Sequence, residues 1–595
     1  MSKHQEEKQK ELRVVVLGKR QTGKTSVIDT ILGTSATEEL VKREGPIDGR
    51  RVSLVETPGW WKTFSLNDLS NICKQQLVLR LSLTSPGPHV VLVVVRADRT
   101  FTDSDGKFLE EYVELMGANI WTHTLIIFTR GDLIQRKHIE EHVQDPESAL
   151  KRLIEKCGDK YHVFNNSNHH DRTQVTELLD KIEGIVGKNN GRHFDIDLDK
   201  VKEVNERWEE VQTKANSRKH GVQNQRSIVR EKAYVHHLEE VRVVLLGWIL
   251  SGKSSAGNTI LNRDAFDIGG RTGERLRGFG DVDGRRMTVL DTPGWWKYFA
   301  SQLNPDFIRS AILRNVSECK KFPHALLLVI PADTSFQEEQ RRITEENMSI
   351  LGEDVWRHTI VLFTWGDRFK DVSIEQHIES EGEALKWLIG KCRNRYHVFD
   401  NTDKKNRAQV SELLQKIDEM AAENSLFRLD THTHTHTHPE DLVTEIRLKD
   451  VCHFLDEGFK RKAEEIRKKI ENLCMDIMEE HLNLDERSSM SSPLNLEDES
   501  PDSQEEVFIP PQQDNIPEPI KSLLEREFSR WESIIIEGVR ESLLDIKSSF
   551  ELSQDEKRKK TEESVQKWLK NCRHYVEHTV DKIRENPLIR DLKIQ

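Results

Sequence analysis

The sequence predicts an α/β fold class: two domains, each a mostly parallel sheet with helices on both faces, followed by an α-helical C-terminal region. Short apolar, β-branched runs alternate with amphipathic stretches, as in chains whose parallel strands are joined by helices. A block of sequence also occurs twice, since Trp121–Asp132 recurs as Trp356–Asp367 and Glu56–Lys62 recurs as Asp291–Lys297. A unit of roughly 200 residues is too long for a solenoid repeat, so it indicates a duplicated domain.

The two copies differ in length at one place. The repeats named above share an offset of 235 residues, as do Tyr161–Phe164 and Tyr396–Phe399. The glycine-rich loops that begin at Gly18 and Gly247 are offset by only 229 residues. The first copy is therefore shorter than the second between its glycine-rich loop and Glu56.

Strand-like and helical segments alternate along the first copy. The strand-like segments are Leu12–Leu17, Arg51–Glu56, Val90–Arg96, Thr124–Phe128 and Tyr161–Phe164, and the clearest amphipathic stretches are Gly106–Leu115 and Ser148–Lys156. Ligands of parallel α/β sheets bind at the carboxyl ends of the strands. Each motif described below follows such a strand.

Two segments match G-x-x-x-x-G-K-[ST], the phosphate-binding loop, and each lies between an apolar strand and a helical pattern. Glycines let backbone N–H groups close around phosphate oxygens, and the helix N-terminus adds its positive end. The predicted nucleotide-binding residues of the two loops are Gly18, Lys19, Arg20, Gln21, Thr22, Gly23, Lys24, Thr25 and Ser26, and Gly247, Trp248, Ile249, Leu250, Ser251, Gly252, Lys253, Ser254 and Ser255.

Within these loops the lysine and the hydroxyl residue have separate expected roles. Lys24 and Lys253 would reach the β- and γ-phosphates of a nucleotide, and Thr25 and Ser254 would bind Mg²⁺. The sequence therefore predicts a nucleotide with Mg²⁺ as the ligand of each domain.

The segment Asp291-Thr-Pro-Gly294 follows a strand and a turn. In nucleotide switches the Asp contacts Mg²⁺, usually through water, and the Gly N–H approaches the γ-phosphate and moves when that phosphate leaves. The first copy has Glu56 and Gly59 at these positions. Because Glu56 is longer, we expect weaker or altered metal dependence in the first domain.

Thr129-Arg-Gly-Asp132 and Thr364-Trp-Gly-Asp367 end two apolar strands. A carboxylate there can accept hydrogen bonds from N1–H and the exocyclic amine of guanine, whereas adenine would leave a buried carboxylate unpaired. The expected ligands are therefore GTP and GDP rather than ATP. Residues placed to contact the other side of the base are Asn165, Asn166, Asp400 and Asn401, although an Asn-rich turn is the alternative interpretation of these four.

These motifs resemble the AIG-type G domain of the GTPases of immunity-associated proteins (the GIMAP family). The resemblance rests on the Thr-x-x-Asp motif, Asp-Thr-Pro-Gly-Trp-Trp, Tyr-His-Val-Phe-x-Asn and the run His377–Leu388. It implies a Ras-like P-loop GTPase fold, guanine-nucleotide binding and GTP-dependent homodimers or oligomers formed through the nucleotide face. Family members carry a Mg²⁺-binding Thr in the first switch; Thr272 matches it in the second domain, and Thr34 and Thr37 compete for the role in the first.

Hydrolysis is expected to be slow. Ras-type enzymes place a water-orienting Gln just after Asp-x-x-Gly, but Trp60 and Trp295 stand there. Arg99 lies near the position from which some members of the resembled family offer an arginine to a dimer partner. A surface salt bridge is the favoured role of Arg99, and the arginine offered to a partner is the alternative. The enzyme prediction is thus a slow GTPase, with a nucleotide-regulated scaffold lacking significant hydrolysis as the alternative.

We predict seven regions along the chain. They are a first G domain (10–190), a charged helical or solvated linker (191–238), a second G domain (239–425), a His/Thr tether (426–440), a helical segment (441–484), an acidic Ser/Pro linker (485–519) and a helical tail (520–595). The tether could bind a metal through its four histidines, but composition favours a plain linker. The helical regions would form a bundle on the G domains or a self-association arm, with a helical partner for the tail.

Composition limits the other possibilities. The net charge of −13 argues against general nucleic-acid binding. Seven scattered cysteines without C-x-x-C pairs favour a reduced protein with no disulfide framework. No signal peptide, lipidation motif or transmembrane run is recognisable. We therefore expect a cytoplasmic protein, or one bound peripherally to intracellular membranes.

Overall fold

The structure is a computed structural model that describes most of both predicted domains. The described residues are 11–20, 22–33, 41–47, 49–60, 66–97, 101–131, 148–165, 171–235, 238–266, 276–297, 309, 312–314, 316, 322–366, 372–401, 403, 405–424, 427, 465–466, 468–469 and 532. The chain divides into two compact units. The first comprises Met1–Gln225, Ala332–Gln337 and Arg368–Trp387, and the second comprises Arg226–Pro331, Glu338–Asp367 and Leu388–Gln595.

The sheet of the first unit has six strands in the order β2-β3-β1-β4-β5-β6. Its strands are β1 (Glu11–Gly18), β2 (Lys42–Ile47), β3 (Arg50–Glu56), β4 (Val90–Arg96), β5 (Thr124–Thr129) and β6 (Tyr161–Val163). All neighbours pair in parallel except the edge strand β2, which pairs antiparallel with β3. The predicted mostly parallel sheet is confirmed, and β2 is a strand that the sequence pattern did not indicate.

The sheet of the second unit repeats this order as β8-β9-β7-β10-β11-β12. Its strands are β7 (Glu240–Leu246), β8 (Leu276–Val282), β9 (Arg285–Asp291), β10 (Ala325–Pro331), β11 (Thr359–Thr364) and β12 (Tyr396–Val398). Again only the edge strand, β8, runs antiparallel to its neighbour. The internal duplication seen in the sequence is therefore a duplication of one topology.

The helices lie between the strands. They are α1 (Lys24–Leu32), α2 (Asn71–Ser82), α3 (Asp103–Glu114), α4 (Ala149–Lys156), α5 (Thr173–Lys188), α6 (Leu198–Val235), α7 (Lys253–Leu261), α8 (Glu338–Ser349), α9 (Ile374–Glu381), α10 (Glu383–Lys391) and α11 (Ala408–Glu423). Helix α3 begins earlier than the predicted stretch because Thr102 and Asp105 form a capping box at its start.

Successive apolar side chains of β1 lie on opposite faces of the first sheet, which explains why helices cover both faces. Val14 and Val16 of β1 lie in one buried cluster with residues of α1 and α5. Val15 and Leu17 lie in another, with residues of α2, α3 and α4. Successive side chains of a strand point to opposite faces, and a strand apolar on both faces is stable only when both are covered.

Helix α6 has 38 residues and occupies most of the charged segment after the first sheet. None of the described helices combines the length and the apolar character needed to cross a bilayer. Apart from Phe427, which is buried, the His/Thr tether and the acidic linker lie outside the described residues. The described positions of the helical regions at 441–484 and 520–595, namely 465–466, 468–469 and 532, are helical.

Candidate functional site

The glycine-rich loops connect β1 to α1 and β7 to α7, at the carboxyl ends of central strands. Gly23 and Gly252 adopt the left-handed conformation, with φ of 86° and 89°, directly before the first helical residue. At Gly247, φ is 145° and an added Cβ would lie 2.5 Å from the carbonyl oxygen of Val329. Only glycine fits such positions without strain. Gln21 lies outside the described residues.

The loop lysines are buried and bonded to the loop backbone. Lys24 Nζ donates to the carbonyl oxygen of Lys19 at 3.1 Å, and Lys253 Nζ donates to the carbonyl oxygen of Trp248 at 2.8 Å. Burial lowers the pKa of Lys24 to about 8, against the opposing effect of the Glu56 carboxylate. In both units a lysine at the same loop position is thus held inside the loop.

The residue after each lysine meets the carboxylate at the end of the neighbouring strand. Thr25 Oγ1 donates to Glu56 at 3.0 Å, and Ser254 Oγ donates to Asp291 at 2.5 Å. Despite its extra methylene, Glu56 reaches the same partner as the Asp does in the second unit. A hydroxyl and a carboxylate are oxygen ligands of the kind Mg²⁺ prefers, so both pairs fit that ion.

Gly59 and Gly294 approach the loops closely. A Cβ on Gly59 would lie 2.7 Å from Lys24 Nζ, and one on Gly294 would lie 2.7 Å from Lys253 Nζ. The following residues, Trp60 and Trp295, are almost fully buried. Their carbonyl oxygens accept loop N–H groups at 2.9 and 2.7 Å, which joins each switch-like segment to its glycine-rich loop.

The threonines of the predicted base motif bind the glycine-rich loops. Thr129 Oγ1 donates to the carbonyl oxygen of Thr22 at 2.6 Å, and Thr364 Oγ1 donates to that of Ser251 at 2.8 Å. Both hydroxyls are buried, so they position the motif and are committed to the loops. Asp132 and Asp367, which would read the base, lie outside the described residues.

Shortly after β6 and after β12, a residue forms two backbone hydrogen bonds with a glutamine side chain from the next helix. The N–H of Asn165 donates to Gln174 at 3.0 Å and its carbonyl accepts from that side chain at 3.2 Å. Asp400 and Gln409 repeat the arrangement at 2.9 and 3.0 Å. These glutamines were not predicted, because each lies nine residues beyond the motif it supports.

The remaining predicted site residues are placed as follows. Asn401 Oδ1 accepts a hydrogen bond of 2.8 Å from Thr259 of α7. Predicted residues outside the described part of the chain are Asn166, Thr34, Thr37, Thr272 and Arg99. An ion pair between Lys19 and Asp105 was not predicted, although the Thr-x-x-Asp capping signal at the start of α3 is visible in the sequence.

Comparison with curated proteins finds several relatives of this chain. "GTPase IMAP family member 8" of Homo sapiens is 27% identical over 435 residues, which cover 70% of this chain and 63% of the relative. The Mus musculus protein of the same name is also 27% identical, over 69% of this chain and 60% of the relative. "Immune-associated nucleotide-binding protein 9" of Arabidopsis thaliana is 33% identical over 197 residues, 31% of this chain and 56% of that protein. The chain thus spans less than two thirds of the length of these relatives.

Solved structures that match part of this chain include Toc33 from Arabidopsis thaliana in complex with GDP and Mg²⁺. That structure is 16% identical, with a TM-score of 0.28, and the match covers 38% of this chain and 100% of that one. The G domain of the Thermotoga maritima FeoB iron transporter matches with 19% identity and a TM-score of 0.21, over 30% of this chain and 99% of that domain.

The family model described as "AIG1 family" matches residues 12–214 and again residues 241–446. Together these matches cover more than half of the chain, and each contains one complete glycine-rich loop with its switch-like segment and base motif. The chain therefore belongs to the AIG1 family and carries the family's domain twice.

Proposed function

We propose that this chain is a guanine-nucleotide-binding protein with two G domains, at 10–190 and 239–425, each with a site for GTP or GDP and Mg²⁺. It acts as a GTP-dependent switch or scaffold that dimerises through its G domains and hydrolyses GTP slowly. The proposed location is the cytoplasm, with peripheral attachment to intracellular membranes as the alternative. The observation that carries the proposal is the loop geometry, in which a buried lysine is followed by a hydroxyl bonded to a carboxylate.

Three features support nucleotide binding over an incidental glycine turn. The loop lysine, the hydroxyl–carboxylate pair and the close-approaching glycine recur at matching positions of both units. They lie at the carboxyl edge of a parallel sheet, where ligands of this architecture bind. The names of the relatives, which include "GTPase" and "nucleotide-binding", agree with this proposal.

The choice of guanine rests on Asp132 and Asp367 in the sequence and on the threonines that precede them. Thr129 and Thr364 anchor the motif to the loop that would hold the phosphates. A carboxylate positioned there accepts from N1–H and the amine of guanine and would be left without donors by adenine. Asp367→Asn should therefore weaken GTP binding at the second site, and unchanged affinity would contradict this role.

Mg²⁺ would be held between Thr25 and Glu56 in the first domain and between Ser254 and Asp291 in the second. It would supply charge neutralisation for the β- and γ-phosphates. Thr272 is the proposed further ligand in the second domain. Because Glu56 replaces Asp and the first copy is shorter before it, we propose that the first site depends less strongly on the metal.

Slow hydrolysis follows from what occupies the water-orienting position. Trp60 and Trp295 are buried, and an indole has no acceptor with which to orient an attacking water. The chain's own contribution is therefore to bind and orient the phosphates and to shield them. Any faster reaction would need a group from a dimer partner, for which Arg99 is the candidate.

The experiment uses the whole chain of 595 residues and asks first which nucleotide co-purifies with it. The Lys24→Ala variant then leaves only the second loop intact, and Lys253→Ala leaves only the first. Both variants are titrated with GTP, with and without Mg²⁺. We expect GTP or GDP to co-purify, ATP not to compete, and the Lys24→Ala protein to show the stronger Mg²⁺ dependence. Equal and fully Mg²⁺-dependent affinities would overturn the proposed difference between the sites.

The alternative is a nucleotide-regulated scaffold without significant hydrolysis, whose output is a helical tail that binds a helical partner. Size-exclusion chromatography with light scattering compares GDP with a non-hydrolysable GTP analogue, beside a phosphate-release assay. Dimers with the analogue together with slow phosphate release support the switch. Dimers without phosphate release support the scaffold.

A further inference from the structure

We propose that the ion pair between Lys19 and Asp105 positions the glycine-rich loop of the first G domain for phosphate binding. Asp105 holds Lys19, and the backbone of Lys19 in turn holds the side chain of Lys24. The inference rests on the proposed nucleotide site and adds to it a positioning residue 86 positions away in the sequence. The second domain fixes its loop with a different set of residues.

Asp105 is rigidly oriented by the start of α3. One carboxylate oxygen forms the ion pair with Lys19 Nζ. The other accepts from the backbone N–H of Thr102 at 3.0 Å and from its hydroxyl at 2.7 Å. The carboxylate lies in the first turn of the helix, where the helix dipole favours negative charge, and its side chain is only 6% exposed. It is therefore a fixed anchor.

The backbone of Lys19 links this ion pair to the loop lysine, Lys24. Its carbonyl oxygen accepts from Thr22 Oγ1 at 2.9 Å and from Lys24 Nζ at 3.1 Å. The position of Lys19 thus sets where the loop lysine and the following turn lie. A loop already held in its binding conformation loses less conformational freedom when the ligand arrives, which raises affinity.

The second domain has Trp248 and Gln340 at the positions of Lys19 and Asp105. Trp248 is 1% exposed, and Lys297 Nζ lies 5.7 Å from its ring centroid. The carbonyl oxygen of Trp248 accepts from Lys253 Nζ at 2.8 Å. The backbone of Trp248 thus holds the loop lysine as the backbone of Lys19 does. A buried tryptophan therefore holds the glycine-rich loop in the second domain, where an ion pair holds it in the first.

The first domain has room for a tryptophan at position 19. A cavity of about 70 Å³ adjoins Lys19 and is lined in part by Trp60, Phe101 and Leu109. A tryptophan at position 19 would extend into it and gain apolar contacts. The paired substitution Lys19→Trp and Asp105→Gln therefore introduces the residues of the second domain at both positions. It should restore the nucleotide affinity that is lost when the ion pair alone is removed.

The test measures binding of a fluorescent GTP analogue to the first site of the full chain, in a Lys253→Ala background. Asp105→Asn keeps an acceptor for Thr102 and removes the charge of the pair. We expect about tenfold weaker binding, equal to about 1.4 kcal/mol, caused mainly by faster dissociation. The K19W/D105Q protein should return to within about twofold of the parent.

The matched control is Gln340→Ala in a Lys24→Ala background, which should leave binding at the second site unchanged because no charge pair is lost. A second readout, hydrogen exchange of loop amides 19–25 without nucleotide, should show faster exchange in the D105N protein. This readout separates failure of the inference from failure of nucleotide binding itself. Unchanged exchange and affinity in D105N, or no rescue by K19W/D105Q, would overturn the proposal.

Discussion

The hydroxyl of Thr129 donates a hydrogen bond of 2.6 Å to the carbonyl oxygen of Thr22, which ties the end of β5 to the glycine-rich loop. The two residues are 107 positions apart. Thr364 and Ser251 form the same bond in the second unit. The element that would read the base is thus bonded to the loop that would hold the phosphates.

Thr129→Val should weaken GTP binding at the first site by about tenfold. Valine keeps the shape of the side chain but leaves the buried carbonyl of Thr22 without this donor, at a cost of about 1–3 kcal/mol. The measurement is a GTP titration of the full chain carrying Lys253→Ala. Thr129→Ser, which retains the hydroxyl, is the control and should bind nearly as the parent does. Equal affinity for the Val and Ser proteins would show that the bond does not position the site.

Gly294→Ala should reduce nucleotide affinity at the second site, more for GTP than for GDP. The added methyl would lie 2.5 Å from the N atom of Ile249 and 2.7 Å from Lys253 Nζ, so the segment must move away from the expected γ-phosphate position. Titration of both nucleotides in a Lys24→Ala background measures the effect. Gly390→Ala, where an added Cβ meets nothing within 4 Å, should leave both affinities unchanged. An equal loss for GTP and GDP would contradict a γ-phosphate role.

A reciprocal exchange of the strand-end carboxylates tests the metal proposal. Glu56→Asp should strengthen the Mg²⁺ dependence of the first site, and Asp291→Glu should weaken that of the second by several-fold. The reason is the length of the side chain that shares a site with Thr25 or Ser254. GTP affinity measured across a Mg²⁺ series decides the matter. If both variants keep the parental metal dependence, the difference between the sites has another origin.

Acid should destabilise both sheets through His89 and His324. Each Nδ1 accepts a backbone N–H, from Arg13 at 3.0 Å and from Arg242 at 2.9 Å. Burial, with the nearby arginine adding to it, lowers the pKa of each histidine to about 4. Between about pH 6.5 and 4 the unfolded chain binds protons that the folded chain excludes, so stability falls as pH falls through this window.

The corresponding measurement is the melting temperature from pH 7 to pH 4.5. A double variant, His89→Gln and His324→Gln, keeps an acceptor for each backbone N–H without a titrating ring. Its melting temperature should depend less on pH in this range than that of the parent. Parallel pH profiles for the two proteins would show that these histidines do not set the acid limit of stability.

The edge strands mark where sequence patterns failed. Lys42–Ile47 contains charged residues, a glycine and a proline, and Leu276–Val282 contains two glycines. Neither shows the alternation or the apolar run that indicates a strand. Both become strands because the neighbouring strand, β3 or β9, offers a free row of backbone groups, and a partner of that kind is visible only in the folded chain.

The duplication, the central parallel strands and the glycine-rich loops could be predicted from the sequence, because each depends on local residue order or on apolar periodicity. The contacts of Glu56 with Thr25, of Thr129 with Thr22 and of Asp105 with Lys19 are visible only in the folded chain. Those contacts join residues far apart in the chain, and the packing of strands and helices brings their atoms together. The two loops match the same pattern, yet folding fixes one with a charge pair and the other with a buried tryptophan.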